Sequence, residues 1–416
     1  DTEKNVVRGY EEATQDDYDF SLSETDAEGR PSTKYYKINL KSENFSTSPN
    51  ISWTEVGEDQ KDEQNVIVIS LPGGSAKYFR YDYQNNDSSR EYFTSSQRDL
   101  SGNVIGDFAG SRQSASGAAV YNGKDRSIES IVGDFIHNTV AATDRPEKGG
   151  AIYSQGTIGK ISGNFVGNAV VSQKDTHANG GAVYNDKGSI GQIEGNFIGN
   201  YTMASEYNSA NGGAVYNDNG AVIGDIRGDF VSNRVFSEGD SGAEAQGGAF
   251  FNNYNISVGR IFGSFVNNGA QTASADGLAL GGAVYTYSDM TFAAGGRLRT
   301  ISGNYTKDGR RGKSYNAVFV NNIVDETRPT VAFDTTGGGA WIVNDSIEGG
   351  LLYYGSAEID YGNQYNLAFK GNGKLNADGL TDQYISINND IINAGEVTVE
   401  GTTLRFGAYQ HEDKTA

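Results

Sequence analysis

The sequence predicts an all-β fold, a right-handed parallel β-helix wound from stacked coils, with an N-terminal β-rich cap segment. Three observations predict it. One phrase recurs: NGGAVYNDKGSIGQIEGNFIGN between Asn179 and Asn200, GGAIYSQGTIGKISGNFVGN from Gly149, GGAVYNDNGAVIGDIRGDFVSN from Gly212, with looser copies from Gly117 and Gly247. The opening Gly falls at 117, 149, 180, 212, 247 and 281, and self-similarity at a period of 31 to 35 residues marks a solenoid. Within the phrase, Ile193, Gly195 and Phe197 alternate with Glu194 and Asn196, the period of a half-buried strand rather than a helix. Finally, hydrophobic residues make up only 36% of 416 residues against 56 Gly and 5 Pro, too little for several compact cores but suited to one thin, continuous one.

Residues 1–99 do not carry the repeat. They hold strand-like runs at Lys34–Leu40, Asn65–Leu71 and Lys77–Tyr83, separated by turn-rich or charged stretches such as Gly57–Glu63. A solenoid end is an open sheet edge that needs covering, so this segment is expected to be a cap; an accessory ligand-binding segment is the alternative.

Residues 100–300 are the regular coils, and three strands are expected in each. GGAVYN opens the coil, and its two glycines suit a corner with positive φ and close coil-to-coil approach. IxGxF follows, with Ile131/Gly133/Phe135, Ile161/Gly163/Phe165, Ile193/Gly195/Phe197, Ile226/Gly228/Phe230 and Ile261/Gly263/Phe265 pointing inward. Val132, Ser162, Glu194, Arg227 and Phe262 would then face solvent. The third strand follows the FxxN turn as NTVAA, NAVVS, NYTMA and NRVFS. Stacking in register makes a ladder of Phe135, Phe165, Phe197, Phe230 and Phe265, each pair adding about 0.5 to 1.5 kcal/mol beyond burial. It makes a second ladder of Asn138, Asn168, Asn200, Asn233 and Asn268, a residue type that tolerates a left-handed corner and bonds along a column. Between the third strand and the next GGA lie connections that differ in every coil: Thr143–Lys148, Gln173–Asn179, Glu206–Asn211, Glu238–Gln246 and Thr272–Leu280. Variable loops on a rigid scaffold are the expected place for recognition.

Residues 301–416 read as degenerate coils (SYNAVFVNN, GGGAWIVND, YNLAFKGNG, and a strongly alternating stretch to Tyr409). The chain starts at Asp1 without Met or a signal peptide and stops at Ala416 without a capping signal. It is therefore expected to be a trimmed chain whose natural form continues beyond this end.

A formal charge of −20 repels phosphate backbones and anionic lipid, so nucleic acid is not an expected partner; acidity also keeps an exported protein soluble. There is no Cys, and no apolar run approaches the roughly 18 to 20 residues of a membrane-spanning helix.

The pairing of FxxN with GGA[I/V], seen as FIHN…GGAI, FVGN…GGAV, FIGN…GGAV, FVSN…GGAF and FVNN…GGAV, resembles the repeat of the polymorphic outer-membrane proteins and related autotransporter passengers. The tail NAGEVTVEGTTLRFGAY is similar to the passenger segment that precedes a C-terminal barrel in such proteins. The resemblance spans about residues 100–416. It implies a β-helical passenger exported to the bacterial surface by its own translocator, commonly serving in adhesion. The first copy departs from the pattern at Gly117-Ala118-Ala119, Phe108 is followed by AGS, and no barrel is present. No binding residue is carried over from the family.

Glycosidases need two carboxylates about 5 to 10 Å apart. The column Asp134, Asn164, Asn196, Asp229, Ser264 offers only two acids, three coils apart, and reads as a solvated polar ladder. Arg310, Arg311 and Lys313 cluster where the repeat breaks, and a loop is the plain reading. His137, His177 and His411 are isolated, without HxH or HExxH; GxSxG and GGxGxD patterns are absent. No catalytic, cofactor or metal residue is expected. The column Tyr121, Tyr153, Tyr184, Tyr216, Phe251, Tyr285 is the feature to watch, because alternation in GGAVYN buries either the Val/Ile positions or these rings. Buried rings are ordinary packing; exposed ones would form an aromatic strip for sugar or protein.

The expected function is a non-enzymatic cell-surface passenger that binds a host or bacterial surface protein or glycan through its loops or N-terminal segment. The alternatives are an extracellular polysaccharide lyase or hydrolase, and a passive self-associating stalk.

Overall fold

A computed structural model describes residues 10–13, 20–25, 31–38, 51–60, 66–70, 76–83, 91–142, 147–172, 177–205, 208–239, 242–323, 328–353, 358–373 and 383–407. The chain winds into a parallel β-solenoid of about 8 turns. One coil shows the plan: Val183–Asp186, Ser189–Glu194, Phe197–Ile198, Tyr201–Ala204 and Ala210–Asn211 are five short strands, each in its own face. Every strand pairs in parallel with its equivalents one coil away, so like residues stand above like: Val183 with Ile152 and Val215, Phe197 with Phe165 and Phe230.

Five strands rather than three is a correction to the sequence expectation, and it has two causes. IxGxF is not one strand. The chain bends at Gly195, where a Cβ would lie 1.8 Å from the Gly163 carbonyl oxygen, and Ile193 and Phe197 enter different faces while both point inward. The Gly is a corner imposed by close approach, not an inward position. The fifth strand lies inside the connections read as loops, because Glu147–Lys148, Ala178–Asn179, Ala210–Asn211, Ala245–Gln246 and Ala279–Leu280 form a five-stranded parallel sheet.

The two glycines of GGA behave as expected. Gly180 has φ 66°, and a Cβ on Gly181 would lie 2.1 Å from the Gly213 carbonyl oxygen of the next coil.

Inside the tube, Phe108, Phe135, Phe165, Phe197, Phe230 and Phe265 stack face to face with centroids 4.7–4.8 Å apart. The Asn ladder also forms and is fully buried. Asn138 Nδ2 donates to Asn168 Oδ1 at 3.0 Å, and the same bond repeats through Asn200, Asn233, Asn268 and Asn304 to end on Asp345. Each amide nitrogen bonds a Phe carbonyl as well, as Asn168 Nδ2 does to Phe135 O at 2.8 Å. The left-handed residue of this corner is not the Asn but the one before it: His137 (φ 53°), Gly167 (60°), Gly199 (61°), Ser232 (54°) and Asn267 (59°).

The column Asp107, Asp134, Asn164, Asn196, Asp229 is buried, not solvated. Each side-chain oxygen accepts the backbone N–H of the next member at 2.8–3.1 Å, ending on Ser264 N. Phe262 is buried too, against the guanidinium groups of Arg227 and Arg260 at 4.0 and 5.0 Å.

Beyond Ser314 the coil narrows to three strands, as in Asn316–Asn321, Thr330–Asp334 and Gly339–Val343, and among the described residues the fourth and fifth faces do not continue. The Arg310–Lys313 cluster lies at that stop, in the tight antiparallel hairpin joining Tyr305–Asp308 to Gly312–Ser314.

At the other end, Glu91–Phe93 pairs with Gly102–Ala109 and Phe93 stacks on Phe108 at 4.7 Å, starting the ladder with an incomplete coil. The antiparallel sheet of Ile51–Val56, Val66–Ser70 and Ala76–Tyr83 lies along the tube's flank instead. Its Trp53, Phe79 and Tyr81 pack on Ala109, Ile136, Val166, Ile198 and Val231, the outward residues of the phenylalanine face. Tyr10–Ala13, Phe20–Thr25 and Pro31–Ile38 form a second antiparallel sheet. Of the sequence-expected strands in this segment, residues 39–40, 65 and 71 lie outside the described residues.

Candidate ligand cleft

In GGAVYN the Val packs into the tube and the Tyr points away from it, yet both are buried. Tyr153, Tyr184, Tyr216, Phe251, Tyr285 and Phe319 form an outer stack, centroids 4.5–5.7 Å apart, packed with Leu278, Leu280 and Leu352. The choice between buried Val and buried rings was therefore not a choice. Because the rings cover one another's faces, the column presents edges and hydroxyls rather than a flat strip.

The hydroxyls carry a polar ladder of their own. Tyr153 Oη donates to Asp186 Oδ2 at 2.7 Å, and Tyr184 Oη donates to Asp218 one coil on. Burial, reinforced for Tyr153 by the bond to Asp186, pushes both phenols well above their ordinary range. Asn219 Nδ2 bridges the two carboxylates at 2.8 and 3.0 Å, and Asn253 Nδ2 donates to Asp218 at 2.6 Å. Burial would raise the Asp186 carboxyl, but donors from Tyr153, Asn219 and Gln155, with Lys148 nearby, outweigh it and hold the carboxyl below its usual value. Two cations cap rings of this column: the Arg98 guanidinium lies 4.7 Å from the Tyr121 centroid and Lys148 Nζ lies 4.6 Å from that of Tyr184.

Where the fifth face runs beside this column, a cleft of about 220 Å³ opens. Its walls are His177, Asn179, Ser209, Asn211, Glu244 and Gln246 from the fifth face and the residues leading into it, and Tyr216, Phe251, Asn253, Tyr287 and Leu352 from the ring side. Asn211 Nδ2 donates to Asn179 Oδ1 at 2.9 Å, Gln246 Nε2 to Glu244 Oε2 at 2.7 Å, and Ser209 N to His177 Nδ1 at 3.3 Å. Burial holds the His177 imidazole below its ordinary pKa. Asn211 Oδ1 is buried and accepts no hydrogen bond. A second cleft, about 430 Å³, shares Tyr287 and is lined by Tyr254, Asp289, Ile323 and Arg328 among others.

The structure distributes the three histidines differently. His177 enters the cleft; His137 lies on the far flank with its ring 4.8 Å from Tyr81; His411 falls outside the described residues. The Arg310–Lys313 cluster is not in the cleft. Of the variable connections, residues 143–146, 173–176, 206–207 and 240–241 lie outside the described residues, and the last two positions of each connection are the fifth strand.

Sequence reasoning missed Asn179, Asn211, Glu244 and Gln246 as a set. A signal was present: Ala178, Ala210, Ala245 and Ala279 each stand two residues before the opening Gly, and a small apolar residue at a constant offset marks an inward position. Among the described residues no three or more His, Cys, Asp or Glu are grouped to hold a metal ion, and no helix is long and apolar enough to cross a membrane. Comparison with family models, curated proteins and solved structures gives no match for this chain.

Proposed function

We propose that the chain is the β-helical passenger of an autotransporter-type surface protein, acting as a non-enzymatic adhesin that binds a surface protein or glycan of a host or neighbouring cell. One observation carries this reading. The side chains that repeat from coil to coil are consumed in building the tube, whereas on the fifth face one position varies along its column (Lys148, Asn179, Asn211, Gln246, Leu280) and the face opens beside the tyrosine column into a polar cleft. A rigid rod with one variable, concave flank is suited to recognition. The FxxN/GGA repeat supports surface display.

The lyase or hydrolase reading draws less support, because Asp107, Asp134 and Asp229 are each bound to a backbone N–H inside the wall. The stalk reading draws on one feature: Ala394–Glu400 leaves Val397 and Val399 half exposed beside the terminal strand Thr403–Phe406. Cell-binding assays with purified chain, alongside a variant carrying Asn211→Ala, Glu244→Gln and Gln246→Ala, test the adhesin reading. Loss of binding by a folded variant supports it; undiminished binding, or none by the parent, contradicts it. Concentration-dependent association in ultracentrifugation without cell binding would favour the stalk.

A further inference from the structure

The fifth face holds a natural experiment in which one position changes while its surroundings repeat. Lys148 pairs with Asn179, Asn179 with Asn211, and Asn211 with Gln246, so these four residues occupy one column on successive coils. Beside them run Tyr184, Tyr216, Phe251 and Tyr285 in the outer ring stack. In the first coil the column supplies its own ammonium group: Lys148 Nζ lies 4.6 Å from the Tyr184 centroid and acts electrostatically on Asp186. In the following coils the rings continue, the lysine is replaced by shorter amides, and the cleft of about 220 Å³ opens there.

What lines that space is rich in acceptors. Glu244 is 5% exposed and brings a carboxylate to the cleft. Asn211, 8% exposed, lines it with an Oδ1 that accepts no hydrogen bond. Among the described residues the lining contains no Lys or Arg, and burial favours the neutral form of its His177. An unused buried amide oxygen is costly without a donor, a buried carboxylate that already takes the Gln246 Nε2 donor at 2.7 Å still gains from a neighbouring positive charge, and the Lys148–Tyr184 contact shows a ring of this column taking a cation.

We propose that this cleft binds a primary ammonium group, which takes beside Tyr216 and Phe251 the place that Lys148 takes beside Tyr184. Glu244 supplies the countercharge and Asn211 Oδ1 accepts an N–H. The ligand is a lysine side chain in a basic segment of a partner protein, or a free polyamine. The protein's charge of −20 draws either toward it. The inference deepens the adhesin reading by naming what the cleft recognises, and it rests on that reading for its biological setting alone.

The experiment is calorimetric titration of the full chain with three probes: a lysine-rich peptide, the same peptide fully Nε-acetylated, and spermidine. Saturable binding of the peptide or of spermidine, weakened at least tenfold by Glu244→Gln and by raised salt, supports the proposal; whichever of the two binds identifies the source. Asn211→Lys places an internal ammonium group in the column, as Lys148 does, and is expected to abolish binding while the protein still unfolds cooperatively. Equal binding of the acetylated peptide, or unchanged binding in both variants, overturns the proposal, as does failure of both cationic probes. If cells still bind the parent when all cationic probes fail, the adhesin reading stands and the ammonium site falls. If the probes bind and cells do not, the reverse holds.

Discussion

Asp308 and Arg311, paired at 3.1 Å, together bond both backbone groups of Ala279, the second-last described residue of the fifth face. Asp308 Oδ2 accepts the Ala279 N–H at 3.2 Å, and Arg311 Nη2 donates to the Ala279 carbonyl oxygen. Two side chains thus do for Ala279 what the strand of a further coil would do, and the fifth sheet ends without an open edge. The same Asp308 accepts the backbone N–H groups of Arg310 and Arg311, which shapes the hairpin that ends the fourth face.

Removing that stop should loosen the sheet from its end. Asp308→Ala leaves the buried Ala279 N–H without its acceptor and removes one of the partners of Arg311, which keeps the Ala279 carbonyl, so a loss of about 1 to 3 kcal/mol is expected. Amide hydrogen exchange at Ala279 and Leu280 should accelerate, while Ala178 and Asn179, three coils away, keep their protection. Uniform loss of protection along the fifth face would contradict the local role.

The Asn ladder makes a directional prediction. Asn200 donates through Nδ2 to Asn233 Oδ1 and Phe165 O, and accepts through Oδ1 from Asn168. Asn200→Asp removes both donations and sets a buried carboxylate against two oxygens, so a loss of about 3 kcal/mol or more is expected in chemical denaturation. Asp345, at the end of the ladder, accepts from Gly303 N, Asn304 N and Asn304 Nδ2. Asp345→Asn keeps an acceptor there and should cost clearly less. Equal costs at the two positions would contradict the ladder's polarity.

The inner rings should be as demanding as any core. Phe197→Ala removes a ring stacked at 4.7 Å on both sides and is expected to cost about 3 to 5 kcal/mol, read from the denaturation midpoint. Tyr184→Phe keeps the outer stack and deletes only the bond to Asp218, which retains donors from Asn219 and Asn253. A loss of about 1 kcal/mol is expected there.

Acid should weaken the flank contact. Burial, and secondarily the charge of Arg112, hold the His137 imidazole below its ordinary 6.5, and its Nε2 is buried without a hydrogen bond against Tyr81. With the folded pKa depressed, the unfolded or undocked chain binds the extra proton first. The contact is at full strength above about pH 6.5 and weakens as pH falls from there toward the depressed value. Hydrogen-exchange protection across residues 76–83, measured relative to the intrinsic rate at each pH, should therefore fall between pH 7.5 and 5, and His137→Phe should flatten that dependence.

The sequence made the columns legible because stacked coils repeat the same residue at the same place, so the Phe and Asn ladders could be read as vertical neighbours without coordinates. The corners were less legible. Nothing in IxGxF distinguishes a straight strand from one bent at Gly195; only the approach of the Gly163 carbonyl does. The left-handed position is occupied by His137, Gly167, Gly199, Ser232 and Asn267, types too different to betray a shared backbone. The fifth strand was hidden because a two-residue element shows no period, and with it went the cleft, whose residues are brought together only by stacking. The polar column from Asp107 to Asp229 looked solvated because its partners are backbone N–H groups, which a sequence does not display.

The central claim is that equivalent residues of successive coils are direct neighbours in parallel strands. Lys160 and Gln192 are such a pair on the second face, and Asp225 follows one coil later. Neighbouring strands lie about 4.8 Å apart, within the roughly 4.4 to 6.8 Å Cα separation a disulfide spans. The chain contains no native Cys to interfere. The direct measurement is disulfide formation under mild oxidation, read by mass spectrometry, in two double variants. Lys160→Cys with Gln192→Cys should cross-link within the folded monomer, and Lys160→Cys with Asp225→Cys should not. Failure of the first pair, or equal cross-linking of the second, would contradict the stacked coil.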